Sequence, residues 1–108
     1  MPMTLTLQPK WIEMAHEFGD LDTVVEDALR AYFLSQSQAR MNEAERQISA
    51  YRQKYQCDYD SFQRLVQTDA RFLMQVEASN PLWEADAMEW QYWLEEQAEW
   101  RRRLAAIS

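Results

Sequence analysis

The stretch "MTLTLQPKW", residues 3–11, decides how the chain is read. Its first six positions alternate small polar and apolar side chains before meeting a proline and an aromatic, the period of two that a strand shows. The alternation predicts one short strand over residues 3–8. A strand with bare N–H and C=O groups on both edges needs a partner, and no other segment of the chain has strand character. A second copy of the same stretch supplies one. Antiparallel pairing across a two-fold axis places Leu5 and Leu7 on one side of a two-stranded ribbon and Thr4, Thr6 and Gln8 on the other.

Everything beyond the strand reads as helix. The chain has 108 residues, the size of one ordinary domain, with a single Gly and three Pro to make turns. Few turns imply few, long elements, and the abundance of Ala, Glu, Gln, Arg, Leu and Met makes those elements helical. "PKWIEMAHEFG" sets Pro9 near a helix start and Gly19 just past its end, with Trp11, Met14, Ala15 and Phe18 on one stripe, which predicts a helix over 10–18. "DLDTVVEDALRAYF" opens a second helix capped by Asp22 or Thr23, with Val25, Ala28, Leu29 and Tyr32 on one face.

No Gly or Pro lies between Leu21 and Asn80, so this second helix can run on to residue 54, with the polar stretch Leu34 to Arg40 as the candidate site of a kink. Unbroken, it spans on the order of 50 Å. Asp58 or Asp60 can cap a third helix carrying Phe62, Leu65 and Val66, and "TDARFLMQVEA" offers a fourth with Phe72, Leu73 and Val76. The last helix begins after Asn80, with Pro81 at its first position and a stripe of Trp83, Ala87, Trp90, Leu94, Trp100, Leu104 and Ile107. Four of the five tryptophans lie there. Trp93 and Tyr92 widen the apolar arc, which fits either an aromatic core or a protein interface.

The formal charge of −7 repels nucleic acid and attracts basic partners. No stretch approaches the roughly 18 apolar residues of a membrane span and no signal-peptide pattern opens the chain, so the expected location is cytoplasmic. Cys57 is a lone thiol and His16 a lone imidazole without the His-Glu-x-x-His spacing of a metal pair. The acidic groups Asp58 and Asp60, and Glu84, Asp86 and Glu89, read as helix caps and solvated faces. With no phosphate-binding glycine loop and no nucleophile beside a base, the sequence predicts no enzyme, no cofactor and no metal site.

From Met3 to Phe33, the order "MTLTLQ", "KWIEMAHEFG" and "DTVVEDALRAYF" resembles the ribbon-helix-helix family of small dimeric repressors and bacterial antitoxins. The resemblance implies a mainly α fold with one N-terminal β-strand, forming an intertwined dimer with a core of Leu5, Leu7, Trp11, Phe18, Val25 and Leu29. It implies base reading by Thr4, Thr6 and Gln8, and a phosphate at Asp22 and Thr23. Residues 1–34 would be the dimerisation and DNA-binding segment, and 35–108 a helical region neutralising a toxin, commonly a small basic ribonuclease, through Trp83, Trp90, Tyr92, Trp93 and Trp100. The reading is then an antitoxin that is homodimeric, binds a protein toxin and represses its own operator DNA.

A different class competes with it: an all-helical dimeric interaction or scaffold protein that does not touch DNA. The acidity of the N-terminal third favours this alternative, because residues 1–33 hold Lys10 and Arg30 against Glu13, Glu17, Asp20, Asp22, Glu26 and Asp27.

Overall fold

The structure is a computed structural model that describes residues 6–107. Of the described residues, 88% are helical and none is in a strand. The elements are α1 (Pro9–Phe18), α2 (Leu21–Tyr55), α3 (Tyr59–Thr68), α4 (Ala70–Ser79) and α5 (Trp83–Ile107).

The predicted N-terminal strand and ribbon-helix-helix fold are therefore corrected. Met3, Thr4 and Leu5 of the predicted stretch lie outside the described residues, while Thr6, Leu7 and Gln8 run into α1 without regular pairing. Gln8 is extended, with φ −66° and ψ 143°, as a residue preceding proline tends to be. Pro9, lacking an N–H, occupies the helix start where no donor is missed. The part of the fold expectation that fits is a long helix joined to a helical module.

Gly19, at φ +143°, breaks α1 from α2 in a conformation that L side chains rarely adopt. Asp20, rather than Asp22 or Thr23, caps α2: its carboxylate accepts from the Thr23 backbone N–H at 3.3 Å and faces the Thr23 hydroxyl at 3.4 Å. From there α2 runs 35 residues without interruption, through the polar stretch that marked a candidate kink. Leu34, Ser37, Met41, Ala44, Ile48, Tyr51 and Tyr55 alternate steps of three and four, the seam of an antiparallel helix pair, and all seven are buried or half-buried. Ser37 and Ala44 are the small members of that seam, so the partner helix, with its tryptophans, can approach closely.

That partner is α5. Tyr51 stacks on Trp90 at 5.8 Å, Lys54 and Tyr55 reach Asp86, and the Arg40 guanidinium lies 5.8 Å from the Trp100 ring, which fixes the two helices antiparallel. Helices α3 and α4 fold back over the end of this pair and close it. Here Phe62 and Trp90 are completely enclosed with Ile48, Val76 and Ala87. Trp90 is ringed by Tyr51, Tyr55, Tyr59 and Phe62, and Phe62 also meets Phe72 and Trp83 edge-on. Rings in such tilted and stacked pairs add to the stabilisation that burial alone gives.

The register leaves α2 longer than its cover. With Arg40 opposite Trp100, Ile107 comes level with about residue 33, so Leu21–Phe33 projects past α5 and packs only on α1. The molecule measures 68 × 25 × 20 Å with a radius of gyration of 22.1 Å. A compact chain of this length would have a radius near 13 Å. The fold is a hairpin with a globular end and a projecting arm.

Candidate interaction surface

The arm, α1 with the first third of α2, is where the sequence pattern and the fold disagree most about burial. Trp11, Met14 and Phe18 share one face of α1, and Leu29 and Tyr32 one face of α2, as the amphipathic spacing predicts, with Phe33 beside Tyr32. Yet all six are exposed, between 47% and 78% of each residue. Neither α1 nor α5 covers them. They make up most of the large apolar side chains that the molecule leaves in contact with water, gathered on 23 consecutive residues. Such clustering on a chain with an otherwise enclosed core marks a binding surface.

Beside these knobs the arm has a hollow. Leu7, Leu21, Asp22, Val25, Glu26 and Leu29 line a slot of about 290 Å³. Its floor is apolar and its two charges are the carboxylates of Asp22 and Glu26, the latter 3.7 Å from the Arg30 guanidinium. Of the residues expected to form a dimer core, Leu7, Val25 and Leu29 line the slot, Trp11 and Phe18 are exposed on α1, and Leu5 lies outside the described residues. The expected DNA contacts lie on two segments, the stretch before α1 and the first turn of α2. Thr6 is an exposed coil residue, Gln8 flanks the start of α1, Asp22 and Thr23 are exposed in the first turn of α2, and Thr4 lies outside the described residues.

The aromatic residues expected to meet a partner are placed differently. Trp90 is enclosed, Trp83 and Trp93 pack half-buried against the same core, and only Tyr92 is exposed. The indole N–H groups of Trp90 and Trp93 are buried without an acceptor. Trp100 is half-buried farther along α5, its N–H donated to Glu96 at 3.0 Å and its ring under the Arg103 guanidinium at 4.4 Å. The side chains of α5 are thus spent largely on the hairpin itself. A second hollow of about 310 Å³ lies between α3, α4 and α5, bordered by Val66, Leu73, Trp83, Glu84 and Met88.

The chief polar cluster joins the ends of α2 and α4 to α5. Asp86 Oδ2 accepts from Lys54 Nζ at 2.6 Å, from the Tyr55 hydroxyl at 2.6 Å and from Asn80 Nδ2 at 3.0 Å, while Asn80 Oδ1 accepts from the Leu82 N–H at 3.0 Å. Burial pushes the Asp86 carboxyl up, and the three donors overcome it, leaving it below the usual carboxylate range. Tyr55 is pushed up to about 12, first by burial and then by its bond to Asp86. Every member of the cluster is satisfied by another, so its chemistry is that of a clasp on the turn between α4 and α5. Sequence reading saw Asp86 only as one of three acids on a solvated face. The signal that singles it out is its place in the first turn of α5, facing the basic end of α2.

Cys57 is half-buried, its thiol raised by burial and by Asp58, and His16 lies exposed on α1. Among the described residues no three His, Cys, Asp or Glu side chains converge on a point, and no helix is long and apolar enough to cross a membrane. In comparisons with known proteins, no family model matches the chain, and no curated protein or solved structure resembles it at a significant level.

Proposed function

We propose that this chain is an all-helical interaction protein that docks onto another protein chain through the apolar face of its α1–α2 arm. One observation carries the reading: six large apolar side chains, from Trp11 to Phe33, stand in water on a segment that projects beyond the core. Aromatic anchors flanked by charge are the composition of protein interfaces. The enclosed end, by contrast, holds its aromatic residues against each other and stabilises the hairpin that carries the arm.

A second reading, an antitoxin that neutralises a basic ribonuclease-like toxin, draws on the charge of −7 and on Asp22 and Glu26 beside the slot. Operator binding through a ribbon has no place in either reading, since Thr6 and Gln8 stand outside any strand.

The test compares stability at high dilution, where association is absent. Phe18→Ser and Phe33→Ser are expected to unfold within about 0.5 kcal/mol of wild type, as surface changes do. Phe62→Ser is expected to cost at least about 3 kcal/mol. Urea titration followed by tryptophan fluorescence reads both, and arm variants as damaging as Phe62→Ser would mean that the arm is core and not an interface.

A further inference from the structure

We infer that the occupant of the arm is a second copy of this chain, the two arms packing face to face about a two-fold axis into a bundle of four helices, two from each copy. The inference rests on the reading of the arm as an interface and names its partner.

Self-complementarity comes first. A two-fold contact uses the same patch on both copies, so that patch must hold both what inserts and what receives. The arm has both. Tyr32 and Phe33 stand together with their rings edge to face at 5.8 Å, one turn along α2 from Leu29 at the edge of the slot. The slot of about 290 Å³ is large enough to receive an aromatic side chain from a neighbour.

Area comes second. Six side chains of about 200 Å² each, a little over half exposed, offer roughly 700 Å² of apolar surface. A stable protein interface takes about 800 Å² from each partner. The arm thus supplies nearly the whole of what a dimer needs, and a partner covering only one of its two helices would leave half of it wet.

Charge decides how the contact depends on salt. Stepping 100° per residue, Glu13 falls on the side of α1 away from Trp11, Met14 and Phe18, Glu17 flanks Met14 at about 60°, and Asp27 falls on the side of α2 away from Leu29. Glu17, Asp22 and Glu26 remain near the contact against two cations, Arg30 beside Glu26 and Lys10 with its ammonium 5.0 Å from the Trp11 ring. The arms of two copies therefore attract through apolar surface and repel weakly through their rims. Added salt screens that repulsion and strengthens the pair, whereas it would weaken the grip on a basic partner.

The experiment is sedimentation equilibrium of the full-length chain over a concentration series, at low and at high salt. The expected result is a mass that rises from 13.0 kDa towards twice that value, at lower concentration when salt is added. Leu29→Arg and Phe33→Ser are expected to weaken the association by more than about tenfold, with helical content unchanged by circular dichroism. Met88→Arg and Tyr92→Arg, exposed at the other end, are expected to leave it unchanged. A chain that stays at one protomer's mass at millimolar concentration overturns the inference, as does a dimer lost with Met88→Arg but kept with Leu29→Arg. Neither result touches the reading of the arm as an interface, which fails only if the dilute arm variants unfold as Phe62→Ser does.

Discussion

The Tyr55 hydroxyl donates to Asp86 at 2.6 Å, joining the last turn of α2 to the first turn of α5 across 31 positions of chain. The same carboxylate oxygen takes the Lys54 ammonium at 2.6 Å, and Asn80 Nδ2 lies within reach of both Tyr55 and Asp86. The clasp fixes where α5 begins, and with it the register that aligns Tyr51 with Trp90 and Arg40 with Trp100.

Acid should open this clasp. The Asp86 carboxyl is held below its ordinary value, so its contribution is present above the unfolded value near pH 4 and is lost as pH falls through the folded value. Asp86→Asn is expected to lower stability by about 1–3 kcal/mol at neutral pH, and the gap from wild type should close towards about pH 2. Urea midpoints at the two pH values measure it. A gap of the same size in acid would show that the carboxylate charge is not what closes the turn.

Alkali acts on the other partner. Tyr55, pushed up to about 12, keeps its proton in the folded chain to a higher pH than in the unfolded one. Its contribution is fully present below the unfolded value near pH 10 and is lost as pH rises towards 12. Tyr51 is raised in the same direction, by burial first and then by Glu89. Tyr55→Phe should cost about 1 kcal/mol at neutral pH and lose part of the alkaline dependence, read by helicity alongside the tyrosinate absorbance.

Backbone conformation gives a third expectation. Gln56 ends α2 in the left-handed region at φ 58°, where its side chain bonds the Gln53 carbonyl at 2.6 Å. Gln56→Gly should stabilise by about 0.5–1 kcal/mol, because glycine takes that conformation without a Cβ penalty. Gly19→Ala should do the reverse by about 1 kcal/mol: the nearest atom to an added Cβ, Val24 Cγ2, is 3.9 Å away, so strain at φ +143° and not crowding is the cause. Thermal melts of the two variants should shift in opposite directions.

Among the aromatic residues, burial sets the order of damage. Phe62→Ala should cost about 3–5 kcal/mol, while Tyr92→Ala, half exposed on the outer face of α5, should stay within about 0.5 kcal/mol. Chemical denaturation gives both numbers, and a large loss at Tyr92 would show that its edge-on contact with the Trp93 ring at 5.1 Å carries much of the stability.

Much of this architecture is legible in the residues because helix spacing is a long-range signal. The stripe from Trp83 to Ile107 and the absence of Gly and Pro between Leu21 and Asn80 point to α5 and to the length of α2. Three things are not legible. Six residues of alternation before Pro9 are too short a run to specify a paired strand, and the ribbon expected there rests on that run alone. The cap at Asp20 competes with Asp22 and Thr23, two equally good capping residues within one turn. Which tryptophan is enclosed depends on the register of α5 on α2, and that is set by Asp86 and Tyr55, residues far apart in sequence.

The unbroken α2 also makes the molecule a strut. Its two ends are held about 50 Å apart by one unbroken helix, so a load at Leu21 is delivered to Tyr55 as rotation of a lever rather than absorbed by bending. Two such struts joined at their free tips would hold their aromatic heads at a fixed separation, the geometry of a calliper.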